Sequence, residues 1–325
     1  MSPHRGRLRI GTRGSALALW QTERIRSLLA EAGHDAERVE IKTTGDLAPE
    51  VPLSRIGSRA LFTKQIDDAL LDERIDLAVH SFKDLPTRLP AGIMLGAVGP
   101  REDPRDALVG RGPLRWEALP RGAVVGTSSL RRRAQLLYHR PDLAVVDLRG
   151  NVDTRLAKLD RHPEWSAILL ATAGLVRLGL DPRIGERLDL DLFVPAPGQG
   201  ALAITVRDGD SDVLAAVRKA VHHAPTAVLI AAERAFLCAL EGGCQVPIAA
   251  YAERRAGRAE ALVHLHGRVI SPEGRTMIEA RHAAPANVEE EAERLGASLA
   301  EDLLAQGAGG ILSEARTGVP AITEP

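Results

Sequence analysis

The chain has 325 residues, 45% of them hydrophobic and 26% charged, with a formal net charge of −1. That length holds two or three domains, and that apolar content builds ordinary cores without disulfide or metal staples. Near-zero charge and 3% aromatics speak against a nucleic-acid binder or a base-stacking surface, and no apolar run reaches signal-peptide or membrane-spanning length.

Short apolar runs alternate with helical patterns through the first two thirds of the chain. Leu8–Arg13 reads as a strand, Ala16–Ala32 as an amphipathic helix and Val39–Thr43 as a strand. Ala60–Glu73 follows as a helix, then Ile75–His80 and Ile93–Val98 as strands. A second set comprises strand Ala123–Gly126, helix Leu130–His139, strand Ala144–Leu148, helix Val152–Asp160 and strand Ala167–Ala171. This βαβ rhythm predicts an α/β protein with mainly parallel sheets covered by helices, and ligands bound beyond the carboxyl ends of strands. The charged stretch Arg101–Arg105 and the segment Val194–Gly200, followed by a strand at Ala201–Val206, are candidate crossovers. Two crossovers between similar halves suggest a hinged pair with a cleft.

From about residue 221 the pattern changes to a smaller α+β module. A long helix spans Thr226 to Leu240, Ala261–Val269 and Arg275–Arg281 form a hairpin around Ser271–Gly274, and a last helix runs from Val288 to about Ala305. The expected domains are therefore 1–101 with 201–220, then 102–200, then 221–325. The tail after Gly307 is expected to be loosely held.

Two cysteines, Cys238 and Cys244, lie close together on one short segment, which is neither a disulfide framework nor a common zinc spacing. A reducing cytoplasm is the natural compartment. Cys244 follows Gly242 and Gly243 at the end of a helical pattern, so it sits in a turn. It reads either as a small buried residue or as a nucleophile and attachment point. The histidines show no carboxylate at ligand spacing, so no metal site is expected.

Three strand-to-helix junctions carry arginines with hydroxyl or amide residues: Arg13-Gly14-Ser15, Gly126-Thr127-Ser128-Ser129-Leu130-Arg131-Arg132-Arg133 and Arg149-Gly150-Asn151-Val152-Asp153-Thr154-Arg155. Helix N-termini offer free N–H groups, and guanidinium groups beside them make anion sites. A solvated basic face is the alternative. Its threefold recurrence favours a ligand with several carboxylates or phosphates. Ser81-Phe82-Lys83-Asp84-Leu85-Pro86 follows another strand end. There Asp84 is either a turn residue before proline or an acid, base or counter-ion to a developing cation.

Together these segments resemble the porphobilinogen deaminase (hydroxymethylbilane synthase) family over nearly the whole chain. The resemblance rests on Thr12-Arg13-x-Ser15 with Leu17-Ala18-Leu19-Trp20-Gln21, Thr44-Gly45-Asp46, Leu61-Phe62-x-Lys64 and His80-Ser81-x-Lys83-Asp84-x-Pro86. It continues in Gly126-Thr127-Ser128-Ser129-x-Arg131-Arg132, Leu148-Arg149-Gly150-Asn151-x-x-Thr154-Arg155-x-x-Lys158-Leu159, Pro195-Ala196-x-Gly198-Gln199-Gly200 and Gly242-Gly243-Cys244-x-x-Pro247.

The resemblance implies two hinged domains similar to periplasmic binding proteins and a third carrying the cysteine. It also implies a dipyrromethane cofactor joined to Cys244 by a thioether. Such enzymes add four porphobilinogen units head to tail, releasing ammonia each time, and water then frees the linear hydroxymethylbilane. By the same resemblance Asp84 is catalytic. Ser81, Lys83, Thr127, Ser128, Ser129, Arg131, Arg132 and Arg149 hold the cofactor, while Arg13, Ser15, Phe62, Arg155, Arg177 and Gln199 hold the substrate or its oligomers.

Arg55 and Arg59 would belong to a lid. Ser58-Arg59-Ala60 stands where the family usually has Gly-Lys-Gly, which keeps the charge but puts a less permissive residue at 60. A cytoplasmic monomer without nucleic-acid or membrane partners is the family expectation. A polycarboxylate-binding protein without catalysis would suit the arginines equally well, but not Cys244 and Asp84.

Overall fold

The structure is a computed structural model and describes residues 6–43, 63–240, 246–256 and 261–317. In chain order come β1 (Leu8–Thr12), α1 (Ala16–Glu31), β2 (Ala36–Glu40), α2 (Lys64–Leu71), β3 (Leu77–Ser81) and β4 (Ile93–Val98). Next are β5 (Asp106–Val109), β6 (Val124–Gly126), α3 (Leu130–His139), β7 (Ala144–Val146), α4 (Val152–Arg161), β8 (Trp165–Ala171), α5 (Thr172–Arg177) and β9 (Glu186–Arg187). The last set is β10 (Leu202–Arg207), α6 (Ser211–Val221), α7 (Ala224–Ala239), β11 (Ile248–Arg255), β12 (Leu262–Ile270), β13 (Met277–Ala284), α8 (Glu289–Ala305) and α9 (Ala308–Thr317). No described helix is long and apolar enough to cross a membrane.

The chain divides into two compact units, one of residues 1–102 and 201–227, the other of residues 103–200 and 228–325. The first unit holds a five-stranded sheet ordered β2-β1-β3-β10-β4. Strand β1 pairs in parallel with β2 and β3, whereas β10 runs antiparallel to β3 and β4. Side chains on a strand alternate faces. Leu77 and Val79 of β3 therefore join the cluster under α1 and α6, while Ala78 joins the cluster under α2. Chain from β1 goes to one side, β2, and next arrives at the other side, β3. The space beyond the carboxyl ends of β1 and β3 is thus a topological switch point, where open α/β sheets bind ligands.

The second unit repeats this plan with the sheet β7-β6-β8-β5-β9. Strand β6 is parallel to β7 and β8, and β5 is antiparallel to β8 and β9. Leu108 and Leu169 face the cluster containing Leu136 of α3, and Ala107 and Ile168 face the cluster containing Leu156 and Leu159 of α4. Its switch point lies between β6 and β8. The same unit contains a separate antiparallel sheet, β11-β12-β13, packed with α7, α8 and α9 around Phe236, Leu265, Leu299 and Leu312.

Three expectations need correction. The sheets are mixed rather than mainly parallel, because β5 and β10 enter antiparallel. Strand β2 lies at Ala36–Glu40 rather than 39–43, in a register that pairs Leu8 with Ala36 and Thr12 with Glu40. The tail after Gly307 is α9 through Thr317, held by buried Ala308, Ile311, Leu312 and Ala315. Those positions follow the i, i+3, i+4, i+7 spacing of one helix face.

Helix α2 contains an unfavourable group. Asp67 is buried, its Oδ2 has no hydrogen-bond partner among the described residues, and burial pushes its pKa up from 3.8 to about 6. Between those values the native state holds a proton that the unfolded chain has lost. Stability therefore falls as pH rises from about 4 to about 6 and stays lowered above that. Asp67→Asn is expected to raise stability at pH 7.5 by on the order of 2–3 kcal/mol and to leave it unchanged near pH 4. Urea unfolding at both pH values checks this. Equal midpoints for the two proteins at pH 7.5 would show that the carboxylate is not strained.

Candidate functional site

In the first unit, β1 delivers Arg13 and Ser15 to the carboxyl end of the sheet. Ser15 caps α1, its hydroxyl accepting the Ala18 N–H at 3.3 Å, and buried Thr12 donates to the Ala18 carbonyl at 3.3 Å. Arg13 is half-buried. The neighbouring strand β3 ends at Ser81, whose hydroxyl accepts the Gln21 side-chain amide at 2.8 Å, tying α1 to this strand end.

A single 3-10 turn, Phe82–Asp84, follows. Phe82 is buried, its N–H donates to the Ala201 carbonyl at 3.0 Å, and buried Leu85 donates its N–H back to the Phe82 carbonyl at 3.1 Å. With both apolar residues turned inward, Lys83 is left half-buried and Asp84 exposed. The apolar residues thus fix the turn, and the carboxylate faces outward from a rigid base. His80, one residue before Ser81, is buried with Nε2 3.2 Å from the Thr205 hydroxyl. Burial, helped by the Arg13 charge, pushes its pKa down to about 4, so it is neutral at pH 7.

In the second unit the hydroxyls beyond β6 build the strand end itself. Thr127 donates its N–H to the Val146 carbonyl at 2.9 Å. Ser128 donates to the Leu148 carbonyl at 2.6 Å and accepts the Leu148 N–H at 2.9 Å, replacing ladder bonds where β6 and β7 diverge. Ser129 caps α3. Arg149 meets Asp147 at 3.2 Å, and Arg155 donates to the Gly150 carbonyl at 2.7 Å. Gly150 sits at φ +110, where a Cβ would approach the Thr154 side chain to 2.7 Å, so a larger residue would displace this turn.

The sequence assigns Arg131 and Arg132 to ligand carboxylates. The structure also gives them a partner that pattern reading misses. Asp106, at 0% exposure, accepts from Arg131 Nη1 at 2.8 Å and from Arg132 Nη2 at 2.8 Å and Nε at 3.0 Å. Arg131 Nη1 also donates to the Val194 carbonyl, and Arg132 Nη1 to the Leu169 carbonyl. Gln199 adds its amide to Asp106 at 2.8 Å and to the Pro104 carbonyl at 2.7 Å. Arg177 is buried and donates to the Gly200 carbonyl at 2.6 Å. Burial alone would raise the Asp106 pKa, but the two guanidinium groups hold it far below the ordinary carboxylate range. Two buried cations against one anion leave one excess positive charge at the start of α3.

Topology therefore brings Arg13, Ser15, Ser81, Lys83 and Asp84 to one end of the first unit's sheet. Within the second unit it brings Thr127, Ser128, Ser129, Arg131, Arg132, Arg149, Arg155 and Arg177 to the corresponding end of its sheet. Cys244, Phe62, Arg55 and Arg59, with Ser58 and Ala60, lie outside the described residues. Asp106, Gln135 and Glu233 are buried polar residues of the second unit that sequence patterns do not single out. Among the described residues no group of three or more His, Cys, Asp or Glu is placed to hold a metal.

Comparison with known proteins identifies the family. Residues 8–215 match the family model described as porphobilinogen deaminase, dipyromethane cofactor binding domain, and residues 227–305 match the porphobilinogen deaminase C-terminal domain. A porphobilinogen deaminase of Syntrophotalea carbinolica is 49% identical over 94% of this chain and 95% of its own length. One of Moorella thermoacetica is 50% identical over 95% of this chain and 96% of its own length. Among solved structures, a periplasmic substrate-binding protein of an ABC transporter from Coxiella burnetii is 15% identical, with a TM-score of 0.41, over 65% of this chain and 91% of that one. On the two family models and the close relatives, this chain belongs to the porphobilinogen deaminase family.

Proposed function

We infer that this chain joins four porphobilinogen molecules head to tail on a covalently held dipyrromethane primer, releases ammonia at each addition, and frees linear hydroxymethylbilane with water. The observation that carries this reading is the match of the cofactor-binding family model to residues 8–215. The donor set fits the group chemically. A dipyrromethane bears acetate and propionate arms, and the second unit presents the Ser129-capped start of α3, half-buried Arg149 and Arg155, and the excess charge of Arg131 and Arg132 over Asp106. When bound, the primer would supply the free pyrrole carbon to which the first unit is joined, and each later unit would be joined to the end of the growing chain.

The chain's own residues then have distinct tasks. Thr127, Ser128, Ser129, Arg131, Arg132 and Arg149 hold primer carboxylates, with Ser81 and Lys83 at the end of β3. Arg13, Ser15, Arg155 and Arg177 hold those of the substrate, with Gln199 fixing the cluster at Asp106. Asp84 accepts hydrogen bonds from pyrrole N–H groups and stabilises positive charge that develops as ammonia departs. It also receives a proton when a ring regains aromaticity. His80, neutral and buried against Thr205, adds no positive charge to this strand end at pH 7. Cys244 attaches the primer, Phe62 stacks on a pyrrole ring, and Arg55 and Arg59 act from a lid. The protein works as a cytoplasmic monomer of three domains, one for each sheet.

Intact-mass measurement tests the reading. Purified chain is expected to exceed its calculated mass by one dipyrromethane, and Cys244→Ala to show no excess. A wild-type mass that stays unmodified after incubation with porphobilinogen would overturn the assignment.

A further inference from the structure

The segment from Val194 to Gly200 does more than connect strands. Its Val194 carbonyl accepts Arg131 at 2.7 Å and its Gln199 amide reaches Asp106 at 2.8 Å. The same turn is gripped from another side by α7. Glu233, at 0% exposure, accepts the Gly198 N–H on Oε2 at 2.7 Å and the Ala252 N–H of β11 on Oε1 at 2.7 Å. Gly198 is left-handed at φ +75, a conformation that glycine tolerates and this clamp holds. The turn closes with the Gln199 N–H on the Ala196 carbonyl at 2.9 Å. Along the chain, α7 leads directly toward Cys244.

We propose that Glu233 is a positioning residue that fixes the Gly198–Gln199 turn, and through it Asp106, Arg131 and Arg132, relative to the helix that leads to Cys244. It rests on the reading of those arginines and that cysteine as partners of the primer. A carboxylate is suited to the task because both oxygens accept. An amide of the same shape has one acceptor and two donors, so Glu233→Gln must leave either Gly198 or Ala252 facing a donor. The side-chain volume is unchanged, but the turn is loosened.

The experiment uses the full-length protein, purified with its primer. Intact mass gives the loaded fraction, thermal unfolding gives stability, and steady-state turnover is expressed per loaded molecule. Glu233→Gln is expected to remain folded at the assay temperature yet lose about tenfold in kcat, as small misplacements of binding groups do. Gln199→Met, which cuts the turn's other tie, is expected to lose turnover similarly. The double variant should be no slower than the slower single one, because both act through one turn.

Wild-type kcat in folded Glu233→Gln, or losses that multiply in the double variant, would overturn the proposal and leave Glu233 a stabilising residue only. Should the amide variant not fold, Glu233→Asp keeps the charge but shortens the reach, and wild-type turnover in it would be equally fatal. A wild-type chain without primer mass would overturn the functional reading and this inference together. A loaded wild type beside an unimpaired Glu233→Gln overturns this inference alone.

Discussion

Asp84→Asn is expected to keep the fold and the primer mass and to lose turnover by about 10²-fold or more. The side chain is exposed, and the turn that carries it is set by buried Phe82 and Leu85. Replacing a carboxylate by an amide of equal size therefore disturbs no packing. What it removes is the negative charge opposite a developing cation and the base that takes up the pyrrole proton. Both losses fall on the chemical step, so kcat should drop while substrate carboxylates still find their arginines. Stopped assays of hydroxymethylbilane formation, with intact mass and circular dichroism on the same sample, separate the cases. A kcat within about threefold of wild type would remove Asp84 from the chemistry, since a positioned general base is normally worth at least two orders of magnitude.

Asp106→Asn is expected to destabilise the protein by about 3–5 kcal/mol at pH 7, because it leaves two buried guanidinium groups without their counter-ion. Both arginines have side chains 6% exposed and the carboxylate is fully enclosed, so water cannot substitute for it. The pH dependence identifies the cause. The folded pKa of Asp106 is depressed, so its contribution is present above about pH 4 and is lost progressively as pH falls toward the folded value. Wild type and variant should therefore converge in acid. Denaturant midpoints from pH 3 to 8 provide the measurement. A constant difference across that range would attribute the loss to packing, and a difference below about 1 kcal/mol would show that the pair contributes no more than a surface ion pair.

Much of this was readable in the chain because apolar periodicity and strand-end punctuation coincide. The βαβ runs around Leu8, Ala123 and Ala144 announced the sheet ends, and the arginine–hydroxyl junctions sit at them. Asp106 was not legible. It opens a four-residue strand directly after the charged stretch Arg101–Arg105, and nothing local marks one acid in such a run as the partner of arginines 25 and 26 residues away. Glu233 hides for a similar reason, since its partners are the backbone N–H groups of Gly198 and Ala252, and backbone donors leave no trace in a sequence. Helix α9 was legible in principle. Ala308, Ile311, Leu312 and Ala315 have helical spacing, but Gly309 and Gly310 between them mask the pattern. The offset of β2 arose because Val39 and Ile41 look more strand-like than Ala36, whereas parallel pairing with β1 sets the register from Leu8 onward.

Strand β10 lies between β3 and β4 in its sheet but follows β9 in the chain. During synthesis β4 therefore leaves the ribosome with no neighbour to pair with, and the sheet of β5 to β9 is already fully made before β10 appears. The half of the molecule begun first is closed only by capture of a strand that arrives a whole sheet later. Such distant pairing makes folding slow relative to local helix formation and leaves an apolar sheet edge open in the interval, which is when the nascent chain is most exposed to aggregation.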